Sequence, residues 1–196
     1  MRRTVIAAVA LFAVAALVFA ADGAARRADR PSASGSVELD GTTSVALDDA
    51  TIIAIFDAAN TADIETGQLA VERGQSKEVR DFGAMLVQAH TGVRQSGRDL
   101  AARLKVTPTP PKDDASAAAH TKAMEMLRST RGAAFDRAFL RHEVEFHATV
   151  IDAVQTTLLP AIQNAELRDL VIKVAPAFEA HRAAAAALEK KLAEEK

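Results

Sequence analysis

Ser76-Lys-Glu-Val79-Arg-Asp-Phe82-Gly-Ala-Met-Leu86-Val-Gln-Ala-His90-Thr-Gly-Val93-Arg-Gln-Ser-Gly97-Arg-Asp-Leu100-Ala-Ala-Arg-Leu104 is the stretch that decides the fold. Val79, Phe82, Leu86, His90, Val93, Gly97, Leu100 and Leu104 recur at steps of three and four, the mark of one buried face of an α-helix. Ser76 can accept a hydrogen bond from the free amides of the first turn. Thr107-Pro108-Thr109-Pro110-Pro111 ends the helix, because proline carries no N–H and its ring clashes with the preceding turn.

The same reading extends in both directions. Upstream, Asp48 or Asp49 caps a helix that runs to Arg73 and stops at Gly74, with Ile53, Phe56, Ile64, Gly67 and Val71 as its stripe. Downstream, residues 115–129 predict a short extra helix. A long helix then spans 133–158 with Leu140, Val144, His147, Ile151, Val154 and Leu158 in line, closed by Pro160. Asn164 caps a last helix carrying Leu167, Leu170, Val174, Phe178, His181, Leu188 and Leu192, with Pro176 as an expected kink. No segment alternates with period two. Four long amphipathic helices joined by mostly short connections predict an all-α, antiparallel up-down-up-down four-helix bundle with a short extra helix. Phe82, Val87, His90 and Val93 also match Phe139, Val144, His147 and Val150 at equal offsets, an echo expected of a duplicated helical hairpin.

Residues 1–20 are different material. Arg2-Arg3 precedes an apolar run from Val5 to Ala21, and Val18-Phe19-Ala20 offers a signal-peptidase site. This predicts a cleaved signal peptide over 1–20, a flexible linker over 21–46 around Pro31-Ser32-Ala33-Ser34-Gly35-Ser36, and a bundle domain over 47–196. An exported protein of the periplasm or cell envelope follows, touching a membrane only if the leader stays uncleaved. Removing the leader leaves 22 basic against 26 acidic residues, net −4. That balance, without a basic run, argues against nucleic acid as a partner and leaves an envelope protein or self-association. The absence of cysteine excludes disulfides, thiolate metal sites and cysteine nucleophiles.

Three of the five histidines replace aliphatic residues on an apolar stripe. His90, His147 and His181 lie near the midpoints of three different long helices, so an antiparallel bundle brings them to one level. Buried imidazoles need a partner for each ring nitrogen, and a metal ion is one such partner. Three histidines completed by Glu143, one turn before His147, or by Glu65 suit a transition metal: zinc, copper or iron. The other reading is that the imidazoles only satisfy one another and the backbone, with no cofactor. His120 is expected at the surface. His142 stands about 140° around the helix from His147 and is left out of the set. Val87, Val144 and Phe178 occupy the positions where a di-iron bundle would carry glutamate three residues before histidine. No Ser-His-Asp set, phosphate loop or His-Glu-x-x-His motif is present either, so binding is expected rather than catalysis.

Ala62-Asp-Ile-Glu65-Thr-Gly67-Gln-Leu69-Ala70, Val79-Arg-Asp-Phe82-Gly-Ala-Met85-Leu-Val87-Gln-Ala-His90, Phe135-Asp136, Val144 with His147, and Pro176 with His181 resemble a family of exported bacterial proteins. Its members are labelled as a domain of unknown function or as outer-membrane proteins, and are assigned to the ferritin-like superfamily. The resemblance spans about residues 48–192. It implies a ferritin-like bundle with Glu65, His90, His147 and His181 as the family's polar positions. Ala89 and Phe146 stand where that family often has acidic residues before the first two histidines, leaving fewer carboxylates to orient the rings. The resemblance supplies no activity, and the residues leave three roles in order: a metal-binding envelope protein, a non-catalytic structural or interaction module serving envelope integrity or stress tolerance, and last a hydrolase or oxidoreductase with an unrecognised site.

Overall fold

The computed structural model describes residues 47–112 and 114–194, so the expected leader and linker lie outside the described residues. The described chain is all-helical: α1 (Asp49–Arg73), α2 (Lys77–Leu104), α3 (Ser116–Ser129), α4 (Ala133–Ala153), a π-turn (Val154–Leu158), the short α5 (Leu159–Ala161) and α6 (Ala165–Glu194). The capping residues act as the sequence predicts. Asp48 accepts from the Thr51 amide at 2.8 Å, Ser76 from Val79 at 3.2 Å, and Asn164 from Leu167 at 3.1 Å.

α1 packs most extensively on α2 and α4 on α6, with α2 also meeting α6. Both main pairs are antiparallel. In the first, Phe56 faces Gly97 while Gly67 faces Gly83; in the second, Arg141 reaches Glu189 at 3.7 Å while His147 meets His181. Two acidic clamps hold the helix ends. The Asp49 carboxylate accepts from the amides of Gln163 and Asn164, both at 2.9 Å. Asp136 accepts from Gln75 and Ser76, both at 2.8 Å.

The core falls into two apolar halves. Ile53, Phe56, Leu100, Val150, Leu167 and Phe178 belong to one, and Leu69, Val79, Leu86, Phe135, Phe139 and Ala185 to the other. Between them lies a buried polar belt: Asn60, Asp63, Thr66, His90, Glu143, His147 and His181.

Two local readings change. Val71 is 43% exposed and leaves the stripe of α1, whose inner face passes through Asn60, Asp63 and Gly67. Pro160 does not close its helix at residue 158; helical backbone continues to Ala161, and the chain turns out at Ile162. The Leu159 amide bonds back to Val154, five residues earlier. That wider ring leaves space for the proline over the preceding turn. α6 runs through Pro176 without interruption.

The close approach of α1 and α2 depends on two glycines. A Cβ at Gly83 would stand 2.7 Å from the Gly67 carbonyl oxygen and 2.8 Å from the Ala70 Cβ, whereas one at Gly92 would meet nothing within 4 Å. Gly83→Ala is therefore expected to cost about 1–3 kcal/mol through forced backbone displacement. Gly92→Ala should gain up to about 1 kcal/mol from helix propensity. Urea unfolding of the two variants checks this, and equal stability would refute the close approach.

Candidate metal centre

The polar belt is built by helix register. α2, α4 and α6 each bring one histidine to the middle of the molecule, and the ring centroids of His90, His147 and His181 lie 5.7, 5.1 and 5.5 Å apart. All three residues are buried, and one nitrogen of each ring lies within 4.8 Å of the others. Donor atoms around a tetrahedral ion at about 2.0–2.1 Å stand roughly 3.4 Å apart, so little movement separates this arrangement from a coordination shell.

Hydrogen bonds on the outer side of the rings decide which nitrogens face inward as lone pairs. His90 Nδ1–H donates to Asn60 Oδ1 at 2.9 Å. The Asn60 amide is itself oriented by donating from Nδ2 to the Phe56 carbonyl at 2.7 Å. His147 Nδ1–H donates to the Glu143 carbonyl at 3.0 Å. Both Nε2 atoms are then unprotonated, and His147 Nε2 has no hydrogen-bond partner among the described residues. His90 Nε2 lies 3.2 Å from His181 Nδ1. Among the described residues no other hydrogen bond holds His181, so its proton can sit on either nitrogen. Oxygen acceptors behind the rings and free nitrogens in front form the arrangement that metal-binding histidines use.

Burial, followed by the neighbouring imidazoles, pushes His90 and His147 down to about 3, and burial lowers His181. All three are neutral near pH 7, the form that binds metal. Phe178 stacks on His90 with 6.0 Å between centroids and keeps the belt apolar on that side.

Two carboxyl groups stand behind the imidazoles. Asp63 Oδ2 lies 3.4 Å from His90 Nδ1, and Glu143 Oε2 lies 3.5 Å from His147 Nδ1. The Thr66 hydroxyl donates to Glu143 Oε1 at 2.9 Å. Burial raises both carboxyls, and the charge of Glu143 raises Asp63 further. One oxygen of each lies within 4.8 Å of the other, so ionising either carboxyl disfavours ionising its neighbour. Asp63, Glu143 and His147 are a second buried group whose donor atoms lie within 4.8 Å of one another.

His90, His147 and His181 thus converge as the sequence anticipates, whereas Glu143 stands behind His147 and groups with Asp63 instead of completing the three-histidine set, and Glu65 joins neither. Its carboxylate is half-exposed and bonds His120 Nε2 at 2.7 Å. Two residues along a helix is about 200° of rotation, so Glu65 and Asp63 cannot face the same way. Asp63 is the carboxylate that α1 contributes, and with Asn60 it escaped the sequence reading. Both interrupt the apolar series Ile53, Phe56, Asn60, Asp63, Gly67, the same signal that singled out the histidines.

The family model of a domain of unknown function, DUF4142, matches residues 35–188. The chain belongs to that family. No curated protein and no solved structure matches it significantly. For this DUF4142 chain, buried His, Asp and Glu groups that could hold a metal ion are therefore carried by the geometry of its own side chains.

The pKa shifts have a consequence for acid stability. His90 and His147 titrate lower folded than unfolded, so the unfolded state takes up protons as pH falls below about 6.5, and stability is lost down to about 3. The raised carboxyls act oppositely: their contribution is present at low pH and is lost as pH rises above their unfolded values near 4. The metal-free protein should hold a nearly level Tm from pH 5 to 7 and lose it steeply below about pH 4, where the raised carboxyls no longer offset the histidines and the lowered carboxylates of Asp48 and Glu78 protonate as well. Circular-dichroism melts check this, and His147→Leu should make the acid limb shallower. An acid limb unchanged by that substitution would contradict the assignment.

Proposed function

We propose that this DUF4142 chain is an exported cell-envelope protein whose ferritin-like, up-down-up-down four-helix bundle binds one transition-metal ion through His90, His147 and His181. Zinc, copper and iron all accept neutral imidazole donors. Glu143 and Asp63 lie behind the rings, where they orient the imidazoles and supply negative charge that compensates the cation. The observation that carries this reading is the buried His147 Nε2, without a hydrogen-bond partner among the described residues, on a ring 5.7 and 5.5 Å from the imidazoles of two other helices. An orphaned buried acceptor costs about 1–3 kcal/mol, and a metal ion removes that cost. The basic and apolar leader of the sequence supports export. The antiparallel α1–α2 and α4–α6 pairs support the bundle topology. No di-iron motif or catalytic triad supports an enzymatic reading.

One observation favours a second reading. The 3.2 Å contact between His90 Nε2 and His181 Nδ1 can be a plain hydrogen bond, and the histidines would then be core residues of a structural or interaction module. Elemental analysis by plasma mass spectrometry separates the two on protein purified from the envelope fraction without chelator or affinity tag. Metal binding predicts near-stoichiometric zinc, copper or iron that falls at least tenfold in His90→Ala/His147→Ala, together with a lower Tm on chelation. A metal-poor protein whose Tm responds to none of the three ions would establish the structural reading.

A further inference from the structure

A cavity of about 420 Å³ opens between the α4 and π-turn stretch and α6, within the size range of small-molecule sites. Ile151, Val154 and Leu159 form one wall, and Ile172, Ala175 and Pro176 the other. Phe178 also lines it and stacks on His90, 6.0 Å between centroids, so one ring joins the cavity to the histidine belt. Ile172 is 53% exposed, the most of any large apolar side chain among the described residues, and a bound molecule would cover it.

Two prolines give this apolar cavity its polar character. Pro176 has no N–H, so the Ile172 carbonyl loses the donor that an α-helix would supply four residues on. Across the cavity the Leu159 amide bonds Val154 in place of Gln155, and the next residue, Pro160, has no amide hydrogen to offer. Gln155 and Ile172 both line the cavity, so each wall carries a carbonyl released from its helix. Glu179 adds a carboxylate with no hydrogen bond or ion pair to another described residue. No lysine, arginine or histidine lines the cavity. Its polar groups are acceptors, the Gln155 amide excepted.

We infer that this cavity binds a small organic ammonium ion with an aryl or short alkyl body. An ammonium group brings three donors and no acceptor, which matches two freed carbonyls and one carboxylate. The body covers Ile172 and the apolar walls, which supply most of the affinity. An anionic ligand would meet only like charge and carbonyl dipoles. A plain hydrocarbon would cut the carbonyls off from water and give them nothing in return. The site stands whether or not the histidines bind metal.

Titration of the full chain with 2-phenylethylammonium, followed by NMR of the isoleucine methyl groups, tests the inference. The signals of Ile151 and Ile172 should shift together and saturate, and the His90 ring signal should follow because Phe178 touches both. The neutral 2-phenylethanol should bind about five- to tenfold more weakly, and 3-phenylpropionate more weakly still. Glu179 is exposed, so Glu179→Gln leaves the fold intact and should remove most of the amine's advantage over the alcohol. Pro176→Ala returns an N–H to the Ile172 carbonyl and should weaken the amine severalfold, although it improves the helix. Any of three results would overturn the site: shifts that never saturate, 3-phenylpropionate binding as tightly as the amine, or an amine affinity unchanged in both variants.

Discussion

Three imidazoles buried at one level of a helical protein form the constraint around which the rest is arranged. A neutral imidazole presents one donor and one acceptor, and in an apolar interior each must be met. The outer nitrogens are met by Asn60 and by the Glu143 carbonyl. Their acceptors are in turn held by the Phe56 carbonyl and by the helix itself. Behind them Asp63, Glu143 and Thr66 form a second polar layer. The inner nitrogens are left facing one another. Everything else, two apolar halves and two acidic end clamps, keeps the helices in the register that this convergence needs.

Much of this was legible in the residues. Stripes at steps of three and four, capping Asp48, Ser76 and Asn164, and prolines after Leu104 place the long helices to within three residues. Their midpoints bring His90, His147 and His181 together. The misses have physical causes. Glu65 is the carboxylate of the first helix that the resemblance implies, but its direction around the axis takes it to His120 and out of the set. Asp63 and Asn60 interrupt their stripe as the histidines do, but Asp and Asn are mostly surface residues, so residue type alone does not mark these two as buried. The π-turn before Pro160 left no trace in residue type, since the same apolar spacing is compatible with a helix that ends there.

The acidic clamps also bear on the internal echo. Asn60 follows Asp49 by eleven residues, and His147 follows Asp136 by the same interval. Asp49 and Asp136 each grip two consecutive amides before another long helix. This relates α1 to α4, where the sequence echo had related α2 to α4. In that alignment Asn60 and His147 are equivalent positions serving one belt, one as the acceptor for His90 and the other as an imidazole of the set.

Anomalous diffraction at the absorption edge of the bound metal tests the convergence most directly, on crystals of the untagged chain prepared without chelator. The account predicts a peak within about 2.0–2.2 Å of one nitrogen from each of His90, His147 and His181, with Asn60 and the Glu143 carbonyl still bonded behind the rings. No density at that point after loading with zinc, copper and iron, with the His90–His181 contact still closed at hydrogen-bond length, would contradict it.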